Sequence, residues 1–233
     1  VLLLAAATTL LLCVVDAKKI NRNAPHEHRG KLKPYAPGPF DVLSLTSRDE
    51  ADLAKDKSVM KQIPDEDGGK SGGKAICVQD VHAPKSAVWN QILDLDHYVG
   101  KVNKLKECRN YKVEKRSDGK GWRILTKMVV GVLPGYSYEY YCDHHYDPSL
   151  DSVVWTLDYD RTSDFDDVAG HWHVEDHPTK PKMSRVFYAC DIKFKRPVPG
   201  PVMNFLTKSA LRQATGWVKR ESEGKPEGVV PAM

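Results

Sequence analysis

The sequence predicts an α+β fold, with about seven antiparallel strands curving around one long C-terminal helix. Three observations carry this. Alternating apolar and polar residues recur between residues 105 and 194, broken by short turn-forming clusters. A single strand and a short helical stretch precede that run. An amphipathic segment of about twenty residues closes it, with apolar positions three and four apart.

Taken in order, Ala75 to Val81 is short, apolar and β-branched, and reads as a strand. Pro84 then stands near the first turn of a helix, where a missing N–H costs little. Val88, Trp89, Ile92, Leu93 and Leu95 follow helical spacing, and a second short helical piece is expected around His97, Tyr98 and Val99. Leu105 to Val113 and Trp122 to Val130 flank the Ser117 to Gly121 turn as a hairpin. Past the Val132 to Gly135 turn, Tyr136, Tyr138, Tyr140 and Cys142 share one face of the next strand. Val153 to Tyr159, Val168 to Val174 and Arg185 to Phe194 supply the remaining strands. The closing helix, ending near Glu223, carries Met203, Leu206, Ala210, Ala214 and Trp217 on one stripe, widened by Val202 and Phe205. A sheet with one apolar face needs a cover, and this helix is the element long enough to provide it. A curled sheet around a helix leaves room for a cavity.

The amino-terminal third differs. Val1 to Val15 is an apolar run interrupted only by Thr8 and Thr9, and is followed by Val15-Asp16-Ala17. This is expected to be a signal peptide cut after Ala17, with an uncleaved anchor as the alternative, and it places the protein in the secretory pathway, secreted or lumenal, or in an organelle reached through a bipartite signal. Residues 18–73 are expected to form a mobile arm, because residues 18–40 are rich in Lys, Pro, His and Asn. Within it, Ser47 and Glu50 suggest a capping box for a short helix, and Asp65 to Gly73 reads as a Gly-rich linker. Residues 74–223 form the folded domain, and 224–233 a disordered tail.

Composition narrows the function classes. Hydrophobic residues are 41% and charged residues 28%, ordinary for a globular protein, and a formal charge of +4 argues against a nucleic-acid partner. Cys77, Cys108, Cys142 and Cys190 can pair in three ways or remain buried thiols, and they lack zinc-like clustering. His171 and His173 share a strand face, and His144-His145 lie on another strand. With Trp172 and Val174 turned to the cavity the first pair points outward, and no metal site is expected. The Asp164 to Asp167 cluster reads as a solvated loop with at most weak cation affinity. No Gly-x-Ser-x-Gly elbow, phosphate loop or HExxH motif is present, so no catalytic residues and no cofactor are assigned. Tyr138, Glu139 and His173 are the acid–base groups available to an enzyme on this scaffold. Lys193, Lys195, Arg196, Lys208 and Arg212 gather near the start of the last helix, either as a solvated face or as a contact for an anionic membrane.

The run from Val81-His-Ala-Pro through Val88-Trp89 to Asp94 resembles the opening of SRPBCC superfamily domains, the START-like, coenzyme-Q-binding-type and polyketide-cyclase-like proteins. Gly170 to Val174, Arg185 to Tyr188 and Ala210 through Glu221 match its last strands and closing helix. The resemblance implies a helix-grip fold with an apolar pocket that binds lipids, quinones, sterols, polyketides or similar compounds. The pocket residues expected are Tyr138, Tyr140, Trp155, Trp172, Tyr188, Met203, Leu206 and Ala210. Binding or transport of a hydrophobic small molecule is the preferred function. A polyketide-cyclase-like enzyme and an accessory subunit tethered by the 18–40 arm are the alternatives.

Overall fold

The computed structural model describes residues 20–40, 44–62, 75–133, 136–195 and 200–224, and among these the side chains at 62, 75, 132, 133, 136 and 200–210 are not described. The expected signal segment, the Gly-rich linker, most of the Pro-rich step before the last helix and the tail beyond Gly224 lie outside these residues.

The elements run α1 (Ser47–Leu53), β1 (Val59–Gln62), β2 (Ala75–Val81), α2 (Lys85–Leu93), a 3-10 turn (Leu95–His97), β3 (Leu105–Lys115), β4 (Trp122–Leu133), β5 (Tyr136–Asp147), β6 (Ser152–Leu157), β7 (Phe165–Asp176), β8 (Ser184–Phe194) and α3 (Gly200–Ser222). Among the described residues the strands form one eight-stranded antiparallel sheet in the order β1-β2-β8-β7-β6-β5-β4-β3. The predicted helix-grip layout is therefore present, with one strand more than expected. The extra strand, β1, has only four residues and sits at the sheet edge beside β2, too short to show alternation in the sequence.

The strand alternation sets two faces. Inward, Tyr146, Val153, Trp155, Leu157, Val168, Trp172, Val174 and Val186 form the main core with Val88, Trp89 and Ile92 of α2 and Trp217 and Val218 of α3. The Tyr98 ring packs against Trp217 at 4.8 Å, and its hydroxyl donates to the Ile92 carbonyl, tying the 3-10 turn to both helices.

Outward, a second apolar cluster forms where Leu53, Val59, Tyr35, Phe40 and Leu45 cover Ile76, Val78, Phe187 and Ala189. This corrects the mobile-arm expectation, because residues 20–40 lie along the outer face of the sheet. Arg22 grips Asp164 with two hydrogen bonds of 2.8 and 3.0 Å. The backbone amides of Lys31 and Leu32 both donate to Asp167 Oδ2, and the Tyr159 hydroxyl donates to Oδ1 at 2.7 Å. Lys31 Nζ donates to Asp166 at 2.7 Å. The Asp164 to Asp167 cluster is thus the docking point of the arm, with Asp166 and Asp167 buried in β7 and engaged by the chain's own cations and amides, rather than a solvated loop. Composition misled here because the arm contributes few apolar side chains and is held mainly by hydrogen bonds to buried carboxylates.

The short helix α1 begins one residue earlier than expected. Thr46 is its N-cap, its backbone N–H donates to Asp49 Oδ2 at 2.7 Å, and the capping box uses Asp49 in place of Glu50. Glu50 is instead drawn to Arg185, whose guanidinium donates to Glu50 at 2.7 and 2.8 Å and to Asp80 at 2.7 and 3.1 Å. This cluster, buried at Arg185 and Asp80 and joined by His177 on Asp80 at 3.1 Å, clamps α1 to β2 and β8.

Candidate functional site: an apolar cavity under the C-terminal helix

Among the described residues, the inner face does not close completely. A cavity of about 330 Å³ lies between the sheet, α2 and the described part of α3, within the range of roughly 300–1,000 Å³ typical of small-molecule sites. Strand β5 contributes Tyr140, Cys142 and His144 to its wall, β6 Val153 and Trp155, β7 Phe165, Val168 and Trp172, and β8 Tyr188, Cys190, Ile192 and Phe194. The period of two along each strand places these residues on one side. Ile92 and Leu93 of α2, Leu95 and Tyr98 beyond it, and Leu211, Ala214 and Trp217 of α3 complete the enclosure. Asn103, Lys104 and Gln213 line the cavity and are exposed, marking a rim, where Asn103 Nδ2 donates to Gln213 Oε1 at 3.2 Å and joins the β3 approach to α3.

A row of rings crosses the sheet along this wall. His144 lies 5.6 Å from Trp155, Trp155 stacks at 5.9 Å on Tyr188, and Tyr188 packs at 4.1 Å on Trp172. Gly170 makes the row possible. It pairs with Trp155 across β6 and β7, and a Cβ there would stand 2.0 Å from Trp155 Cζ2, so only a glycine lets the indole lie flat over β7.

Of the pocket residues expected from sequence, Tyr140, Trp155, Trp172 and Tyr188 line the cavity. Tyr138 stands behind its wall, stacked at 4.8 Å on Phe165 and edge-on to Phe194 at 5.7 Å. The side chains of Met203, Leu206 and Ala210 lie outside those described. Sequence reasoning missed the contributions of α2 and of Leu105, Ile124, Met128 and Val130 on β3 and β4. The helical spacing of Ile92 and Leu93 shows that they are buried, but not which space they face.

The acid–base groups singled out earlier are not on this wall. Glu139 faces outward, taking Arg22 at 3.3 Å and the Tyr141 hydroxyl at 2.6 Å. His173 is also on the outer face, donating from Nδ1 to the Asp151 carbonyl at 2.9 Å. His171 shares that face with its Nε2 2.8 Å from Ser152 Oγ, and burial pushes its pKa down to about 3. Both histidines point away from the cavity, as the strand alternation requires, and Tyr35 and Phe40 of the arm pack on His171. Among the described residues, no group of three or more His, Cys, Asp or Glu could hold a metal ion.

The titratable groups on the wall are Tyr98, Tyr140, Cys142, His144, Tyr188 and Cys190, with Lys104 at the rim. Burial raises the Tyr140, Tyr188 and Cys142 pKa values well above their ordinary range and pushes Cys190 up to about 12. Burial also lowers His144 to about 4, so its ring is neutral at pH 7. Cys77, Cys108, Cys142 and Cys190 are free thiols, and Cys77 Sγ lies 3.2 Å from Thr215 Oγ1 of α3. No described helix is long and apolar enough to cross a membrane.

No family model matches the chain, and no curated protein matches it in sequence. Solved structures do match. A START superfamily protein from Mycobacterium smegmatis superposes with a TM-score of 0.51 at 18% identity over 71% of this chain and 97% of its own. The Zhui aromatase/cyclase from Streptomyces sp. R1128 gives 0.51 at 14% identity over 74% of this chain and 100% of its own. A protein from Thermus thermophilus gives 0.51 at 14% identity over 63% of this chain and 94% of its own. At these identities the likeness is one of fold, and that fold is the SRPBCC-type helix-grip architecture.

Proposed function

We propose that this protein binds a hydrophobic small molecule, a lipid, an isoprenoid or quinone, or a similar compound, in the cavity between its sheet and α3. The single observation that carries this is the cavity itself, about 330 Å³ enclosed mainly by Ile, Leu, Val, Phe, Tyr and Trp side chains, with its charged group, Lys104, at the rim. Burying apolar surface there is worth about 25 cal/mol per Å². The fold it shares with a START superfamily protein and with an aromatase/cyclase supports the same reading. Native mass spectrometry of gently purified protein tests it. A co-purifying apolar compound, released on denaturation and raising the melting temperature when returned, is the expected result. Failure of any apolar compound to co-purify or to stabilise the protein overturns the reading.

A catalytic reading on the same fold requires an ionisable group on the cavity wall, and His144 meets that condition. Recovery of the bound compound chemically unchanged after prolonged incubation argues for carriage over conversion. Export remains part of the proposal through the 1–17 segment, and amino-terminal sequencing of the mature protein should begin at Lys18. Peripheral contact with an anionic membrane rests on Lys193, Lys195 and Arg212, of which Lys195 already pairs with Glu27 at 3.1 Å. Co-sedimentation with vesicles containing phosphatidylserine tests that contact.

A further inference from the structure

His144 is only 6% exposed, yet it stands on the cavity wall. Its Nδ1 lies 3.2 Å from the Ile124 carbonyl on the neighbouring strand β4. A carbonyl can only accept, so the single proton of the neutral ring resides on Nδ1 and Nε2 presents a bare lone pair. No described residue donates to Nε2, and that nitrogen retains accessible surface, so this edge of the ring opens on the cavity. That lone pair has no described protein donor, and a hydroxyl entering the cavity would supply one.

The surroundings restrict what can bring that donor. Trp155 flanks the imidazole and continues into Tyr188 and Trp172, a broad ring surface beside the His144 nitrogen. Among the described wall residues there is no carboxylate, and the one cation, Lys104, is exposed at the rim. A charged head group beside His144 would lose its hydration with no counter-charge to replace it.

We propose that the cavity selects a neutral apolar compound bearing a hydroxyl group, which donates its hydrogen bond to His144 Nε2 while its apolar body lies against Trp155 and Tyr188. This rests on the hydrophobic-ligand reading above and sharpens it to a chemical class. Anionic fatty acids and fully apolar hydrocarbons are both excluded from the preferred set.

The test compares two probes with one ring system, 2-naphthol and 2-methoxynaphthalene, bound to the whole chain and followed by equilibrium dialysis with fluorescence detection. The ether is the more apolar of the two, so a cavity that recognises only greasy surface binds it more tightly. The expected result is the opposite order, with 2-naphthol at least about tenfold tighter, equivalent to about 1.4 kcal/mol. His144→Phe keeps a ring beside Trp155 and removes the acceptor, and it should reverse the order while the near-ultraviolet circular dichroism stays native. Equal binding of the two probes to the unaltered protein overturns the hydroxyl assignment, as does tighter binding of the ether. A naphthol preference that survives in folded His144→Phe overturns the role of His144. Binding of neither probe up to its solubility limit counts instead against the hydrophobic-ligand reading itself. The comparison on the unaltered protein stands even where the variant fails to fold.

Discussion

Gly170→Ala tests the packing of the cavity wall most directly. The added methyl would stand 2.0 Å from Trp155 Cζ2 and 2.2 Å from Cε2, where an ordinary carbon contact is about 3.5–4.0 Å. The indole would therefore have to retreat by more than an ångström. The atoms in the way belong to a rigid ring held between His144 and Tyr188, not to the free end of a flexible chain. The open direction is into the cavity, so the substitution shrinks the space as well as straining the wall. Overpacking of this kind costs about 1–3 kcal/mol, roughly a 5- to 150-fold change in the folding equilibrium. For a domain of this size that is a fall in melting temperature of about 2–12 °C. Scanning calorimetry reads the fall, tryptophan emission reads the displaced indole, and dialysis with 2-naphthol reads the narrowed space. An unchanged melting temperature and unchanged naphthol affinity would refute the claim that Trp155 lies flat on this glycine.

Asp167→Ala removes the acceptor shared by the Lys31 and Leu32 amides and the Tyr159 hydroxyl, so limited proteolysis should cut within residues 20–40 sooner, with a stability loss of about 3 kcal/mol in urea unfolding. Asp80→Asn leaves Arg185 with Glu50 alone and should destabilise the fold by about 3 kcal/mol, read by the same method. Burial holds the Cys190 thiol at about 12, so at pH 8 only about one molecule in ten thousand carries its thiolate, and this thiol should ignore a disulfide reagent until denaturant is added. His144 has a native pKa of about 4 against 6.5 when unfolded, because burial opposes its charge. The unfolded chain then binds the extra proton first, so stability is full above pH 6.5, declines as pH falls toward 4, and is roughly 2 kcal/mol lower at pH 5. In His144→Phe that contribution should vanish from urea titrations run at pH 7 and pH 5, leaving the slope due to His171 and His26.

The alternation in β5, β6, β7 and β8 was legible because each strand buries one continuous apolar side, which a period of two reveals without knowing any neighbour. The same pattern put Tyr140, Trp155, Trp172 and Tyr188 on the inner face. What alternation does not carry is how far a side chain stands from the opening. Tyr138 and Tyr140 share a face and both pack on Phe165, yet of the two only Tyr140 lines the cavity. His144 was read as a member of a histidine pair for the same reason. Adjacent strand positions face opposite sides, so His145 turns outward to Asp143 at 3.1 Å and His144 turns inward. The arm was illegible for a different reason. Its partners, Asp164, Asp166 and Asp167, lie more than a hundred residues away and look like surface charge until a backbone is laid over them.

Strand β7 connects these observations. Every residue from Phe165 to Val174 is buried, although the strand alternates in chemistry, with Val168, Trp172 and Val174 inward and Asp167, His171 and His173 outward. An antiparallel strand with one wet face would not bury that outer row. The inner side borders a cavity that gives up packing. At about 24 cal/mol per Å³, an empty space of 330 Å³ forgoes roughly 8 kcal/mol relative to a filled core, comparable with the whole stability of a typical domain. The outer side, sealed by Phe40 on His171 at 4.4 Å and by Tyr35 on Asp191 at 2.9 Å, offsets part of that loss without filling the inside. The arm and the cavity therefore lie back to back on one strand, and any coupling between them must pass through β7. Loosening the arm should lower stability most in the empty protein and least when 2-naphthol occupies the cavity. A double comparison of Asp167→Ala with and without the probe would show no such difference if the two faces of the sheet were independent.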